Sequence, residues 1–130
     1  MQLSYMTAPE SATRETILLV EDEPPVRQLF ASALTRAGYR VFEARNGQEA
    51  LALFAQHEGD IELLLTDMRM PYMGGAELAR TLRAKNPALK LLCISGYPGA
   101  DQDQLGADFL AKPFSRDDLL AKVREVLDRK

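Results

Sequence analysis

IELLLTD, residues 61–67, decides how this chain folds. Three leucines between an isoleucine and a threonine leave no polar face, and the run is too short for an ordinary helix. Such a run fits a strand covered on both faces, as in a parallel sheet. ILLV at 17–20 and KLLCIS at 90–95 read the same way, and YRVFEA at 39–44 and ADFLAK at 107–112 complete five strands.

The segments between them carry helical spacing. Val26, Leu29, Phe30, Ala33, Leu34 and Ala37 form one apolar stripe, preceded by Pro24 and Pro25 and ended by Gly38. A second helix runs from about Gln48 to His57 with Ala50, Leu51 and Phe54 inward. A third begins near Gly75, turns Leu78, Ala79 and Leu82 inward and stops before Pro87. The last starts after Ser115, an N-cap followed by Asp117 and Asp118, and presents Leu119, Leu120, Val123 and Leu127. Strands alternating with helices predict an α/β domain with a parallel sheet. Between Ser95 and Ala107 the sequence GYPGADQDQLG has room for barely two turns, so the fourth helix is expected to be short.

Outward from this pattern, composition sets bounds. A chain of 130 residues with 46% hydrophobic residues supports one domain, which the alternation places at 16–130. Residues 1–15 lack periodicity and read as a flexible arm or linker. A net charge of −3 argues against nucleic acid or an anionic membrane as the main partner. No apolar run approaches the roughly 18 residues of a spanning helix, and the expected location is the cytoplasm. The single cysteine, Cys93, excludes an internal disulfide and reads as a buried small hydrophobe.

In such sheets ligands bind beyond the carboxyl ends of the strands. The polar residues there are Glu21 and Asp22 after the first run, Asp67 after the third, Ser95 after the fourth and Lys112 after the fifth. If the first and third strands pair, Asp22 and Asp67 are near neighbours. Carboxylates about 5 Å apart repel by roughly 3 kcal/mol at an effective dielectric of 20. Lys112 alone does not balance three acids, and Mg²⁺, a hard cation that keeps several waters, fits a shallow site. Acids, a lysine and a serine around such a metal suit phosphoryl transfer, one carboxylate attacking while charge on the oxygens is neutralised. The competing reading is that Asp22 or Glu23 merely caps the following helix. Recurrence at successive strand ends favours the site.

LLVEDE, LLLTDMRMP, ISGY and FLAKPF resemble the signature stretches of response-regulator receiver domains, over residues 17–129. The resemblance implies a flavodoxin-like (βα)5 fold with strand order 2-1-3-4-5. It implies that Asp67 is the phosphoacceptor, that Asp22 binds Mg²⁺ directly and that Glu21 does so nearby or through water. Arg69 would give its backbone carbonyl to the metal, and Lys112 would pair with the acyl phosphate ahead of a cis bond to Pro113. Ser95 would donate its hydroxyl to the phosphoryl group while Phe109, the switch aromatic, turns inward to fill the space left. The implied partner is a histidine kinase or histidine phosphotransfer protein, with the chain itself a monomer or weak dimer and not an enzyme. ISGY with its shortened connection is similar to receivers of hybrid sensor kinases, although a stand-alone regulator fits the length equally.

The sequence also departs from the family's pattern. The acidic pair is Glu-Asp rather than Asp-Asp, and Gly74–Gly75 replaces Asp-Gly. Arg69 and Tyr97, each two positions beyond a site residue, are expected to slow loss of the phosphoryl group. The shortened fourth helix is expected to weaken output through that face. An alternative of another class is a receiver fold that binds partners without phosphorylation; a third is an aspartyl phosphatase, which would want an acid where Arg69 stands. His57 reads as a solvated helix end, Met68, Met70 and Met73 as loop packing, Asp101 and Asp103 as a solvated turn, and Arg80, Arg83 and Lys85 as a solvated face.

Overall fold

In the computed structural model, residues 14–96 and 108–129 are described. Five parallel strands, β1 (Thr16–Val20), β2 (Arg40–Ala44), β3 (Leu63–Asp67), β4 (Lys90–Ser95) and β5 (Asp108–Ala111), form one sheet in the order β2-β1-β3-β4-β5. The helices are α1 (Pro24–Arg36), α2 (Gly47–Gln56), α3 (Gly75–Lys85) and α4 (Arg116–Asp128). The expected fourth helix, and with it Tyr97, Asp101 and Asp103, falls outside the described residues.

Alternate residues of each central strand serve opposite faces. Ile17, Leu19, Leu63, Leu65, Leu92 and Ile94 pack under α1 and α4, meeting Ala31, Leu34, Leu119 and Val123. Leu18, Val20, Leu64 and Leu91 pack against α2 and α3 through Ala50, Phe54, Leu78 and Leu82. Every residue of β1 and β3 is buried, which is why both read as unbroken apolar runs. With about 2 kcal/mol for each fully buried leucine, neither face can be uncovered without unfolding the sheet.

Local chemistry sets the ends. Gly38, at φ 104°, takes the left-handed position just past the α1 C-cap Ala37. Asn46 caps α2 by accepting from the Glu49 N–H at 2.8 Å. Ser115 and Asp118 form a reciprocal capping box at α4.

Some expectations are corrected. Leu29 is 67% exposed, because the first two turns of α1 carry no buried residue and burial begins at Ala31. His57 is not a freely solvated end: it is the α2 C-cap and its ring stacks on Phe42 at 4.1 Å. Glu15, assigned to the arm, already belongs to the fold. Its carbonyl accepts from Arg40 N–H, and its carboxylate pairs with Arg124 at 2.7 Å. Among the described residues no helix is long and apolar enough to cross a membrane.

Candidate functional site

Parallel strands in register carry their last residues to one edge. Val20 pairs with Thr66 and Asp67 with Ile94, so the residues following β1 stand beside the end of β3. Glu21, Asp22 and Asp67 each offer a carboxylate oxygen, and these oxygens lie within 4.8 Å of one another. β4 and β5 bring in the cation: Ser95 pairs with Ala111, and the next residue, Lys112, donates its backbone N–H to the Ser95 carbonyl at 2.9 Å. Lys112 Nζ then reaches Asp67 Oδ2 at 3.1 Å. The Lys112–Pro113 bond is cis, as the resemblance implied.

Asp67 is almost wholly buried. Its Oδ1 accepts from the Arg69 N–H at 3.2 Å and its Oδ2 from Lys112, so each oxygen has its own donor. Around Lys112, burial opposes the charged form most strongly. The hydrogen bond and charge of Asp67, with Glu21 and Glu23 further off, outweigh it and raise the ammonium pKa above its ordinary value.

Glu21 is the anomaly. It is 2% exposed, its Oε2 accepts from the Glu23 N–H at 3.1 Å, and its buried Oε1 meets no donor among the described residues. Burial, with the Asp67 charge and the Asp22 carboxyl beside it, pushes the Glu21 carboxyl up to about 7 despite the Glu23 hydrogen bond. An ionised carboxylate with one buried oxygen left unpaired is costly, and a cation at that oxygen would offset the cost.

The capping explanation for these acids fails. The N-cap of α1 is Glu23, which makes no side-chain capping bond, and Pro24 and Pro25 open the helix instead. Asp22, half-buried, stays with the other carboxylates.

Ser95 is fully buried at the end of β4, and Phe109, opposite Cys93 in the ladder, is half-buried against Met68, Ala76 and Cys93. The serine thus ends the strand that pairs with β3 beside Asp67, and the aromatic stands on the next strand out. Two glycines shape the loop beneath. A Cβ on Gly75 would lie 2.4 Å from the Asp67 carbonyl oxygen, and one on Gly47 would lie 2.6 Å from Met73 Sδ. Sequence reasoning took Gly75 as a helix start and as part of a Gly-Gly departure from the family pattern, without the close approach, and missed Gly47 altogether. The close approach depends on where the β3 to α3 loop crosses, which no local pattern shows.

A family model described as the response regulator receiver domain matches residues 17–124. The sensor kinase CckA of Brucella abortus is 41% identical over 119 residues, 88% of this chain and 13% of the kinase. The response regulator receiver protein CpdR of the same organism is 38% identical over 117 residues, 85% of this chain and 95% of CpdR. The chain thus spans a small part of CckA, and of the PhoB regulator of Pseudomonas aeruginosa it spans 52%. Among solved structures, the Thermotoga maritima response regulator TrrA, in complex with Mg(2+)-BeF, superposes with a TM-score of 0.76 at 33% identity, covering 86% of this chain and 98% of TrrA.

Proposed function

This chain belongs to the response regulator receiver domain family, and we propose that it accepts a phosphoryl group on Asp67 from a phosphohistidine of a histidine kinase or phosphotransfer protein. In the step, an Asp67 carboxylate oxygen bonds to phosphorus, the N–P bond breaks and the imidazole leaves. The observation that carries this reading is the Asp67 carboxylate itself, nearly buried and held by Lys112 on one oxygen and the Arg69 N–H on the other.

The residues present fit Mg²⁺. Three carboxylates gather beside one lysine, and Glu21, a member of the cluster, carries the unpartnered Oε1. Glu21, Asp22, Asp67 and the Arg69 carbonyl would hold the ion, which when bound neutralises charge on phosphoryl oxygens. Lys112 supplies a fixed positive charge at the same oxygens. Ser95 would donate its hydroxyl to the new group, and Phe109 would exchange its present packing for the space released, a two-state element biased by the modification. The chain acts stoichiometrically, not as an enzyme, and in the cytoplasm. A hybrid kinase and a free-standing regulator both suit the relatives.

Incubation with Mg²⁺ and a small acyl phosphate, followed by intact mass measurement, tests the reading. A gain of one phosphoryl group, absent from Asp67→Asn, is the expected result. No gain in the wild type overturns it in favour of phosphorylation-independent binding, and sustained release of phosphate from general phosphoesters would mark a phosphatase.

A further inference from the structure

Arg27 sits in the first turn of α1, yet its side chain is only 12% exposed. Its Nη1 donates to the Glu21 carbonyl oxygen at 2.9 Å, and its Nε lies 3.5 Å from Glu43 Oε1 on β2. On the other side of Glu21, the backbone N–H donates to the Ala44 carbonyl at 3.1 Å. The Glu21 main chain is therefore held from both directions, by β2 through its N–H and by Arg27 through its C=O. Glu23, the α1 N-cap, makes no side-chain capping bond that would share this task.

We infer that Arg27 is a positioning residue for the acidic cluster: by fixing the Glu21 carbonyl it sets where the Glu21 and Asp22 carboxylates stand relative to Asp67. The inference rests on the reading of those carboxylates as magnesium ligands. Groups that orient ligands from behind typically matter about 10- to 100-fold in metal affinity. The guanidinium suits the task because its planar fork serves a carbonyl and a carboxylate at once, which an ammonium on a flexible stem does not.

Charge and position predict opposite signs, which makes the inference testable. Removing a cation that is paired with Glu43 leaves one more uncompensated negative charge near the site, so electrostatics alone tightens Mg²⁺ binding. Loss of positioning weakens it.

Calorimetric titration of Mg²⁺ into the whole chain, well below the melting temperature of each variant, reads the difference. Arg27→Met, which keeps the apolar stem, is expected to weaken Mg²⁺ binding about tenfold at unchanged stoichiometry. Arg27→Lys is expected to fall between the two. Arg27→Gln, which also removes the cation but keeps an N–H donor for the Glu21 carbonyl, is expected to weaken binding less, and it serves where Arg27→Met does not fold. Folded variants that bind Mg²⁺ as tightly as the wild type, or more tightly, overturn the inference alone. A wild type that takes up no Mg²⁺ overturns the reading it rests on as well.

Discussion

The two ends of the sheet treat charge differently. At the carboxyl ends of the strands, Glu21, Asp22 and Asp67 crowd around one lysine, and a buried carboxylate oxygen has no donor among the described residues. At the amino ends the charges are matched. Arg124 bonds Glu15, the Tyr39 hydroxyl and Asp128 together, and Lys90 Nζ donates to the Leu127 carbonyl at 2.8 Å. Glu62 accepts from the Thr16 N–H at 2.8 Å, closing the gap between β3 and β1. One end is arranged for stability, and the other holds a tension that a bound cation relieves. Charge removal should therefore have opposite consequences at the two ends.

The largest expected effect tests the mould on which the tense end is cast. Gly75→Ala puts a methyl group 2.4 Å from the Asp67 carbonyl oxygen and 3.0 Å from Met68 Cα, both backbone atoms that cannot rotate away. Either α3 or the end of β3 must shift. Overpacking of this kind costs about 1–3 kcal/mol, visible in urea unfolding, and the rate of phosphoryl uptake should fall with it. Gly74→Ala, whose Cβ meets only the Met68 carbonyl at 3.1 Å, should be milder. Equal effects at the two positions would remove the special status of Gly75.

A smaller effect of opposite sign is expected at Glu21. Its carboxyl titrates at about 7 against an ordinary 4.5, so folding favours the protonated form. The sign follows: the penalty is absent below the ordinary value, grows as pH rises, and is complete above about 7. In EDTA at pH 8, Glu21→Gln should therefore raise stability by about 1–2 kcal/mol, since an amide at this position offers a donor to the neighbouring carboxylates. The gain should vanish near pH 4, and Mg²⁺ affinity should drop. A destabilised Gln variant at pH 8 without metal would erase the contrast between the ends.

Much of this was legible in the chain because both the strands and the site obey short-range rules. LLL in β3 reads as doubly covered, and its next polar residue but one is Asp67 at the sheet edge. The resemblance supplied the ranking of Asp67, Asp22 and Lys112, and the register then placed them together. What stayed hidden depends on which residues are brought close from afar. Arg27 in a helix reads as a solvated cation until the Glu21 carbonyl is seen beside it. Glu15 lies in an aperiodic stretch, and its carboxylate finds its partner on α4, more than a hundred positions on. Leu29 shares its spacing with Leu34, but spacing says nothing about which half of α1 the sheet covers.

The smallest effect belongs to the matched end. The Arg124 hydrogen bond holds the Glu15 carboxyl below its ordinary 4.5, burial only partly opposing it. A depressed carboxyl contributes stability that is present above the unfolded value and is lost as pH falls through the folded one. Arg124 is 37% exposed at its side chain and Glu15 22%, so solvent screens the pair and the contribution stays at about 1 kcal/mol or less. Glu15→Gln should lower the melting temperature slightly at pH 7 in EDTA, and the difference from wild type should shrink as the pH is taken well below 4.5. Acidification thus removes a stabilising charge pair here while it relieves the buried carboxyl at the opposite edge. A double variant, Glu15→Gln with Glu21→Gln, should show the two changes adding, because the groups lie at opposite ends of β1 and share no partner among the described residues. Marked non-additivity would mean that the ends communicate through β1, and the contrast between them would have to be redrawn as a single coupled network.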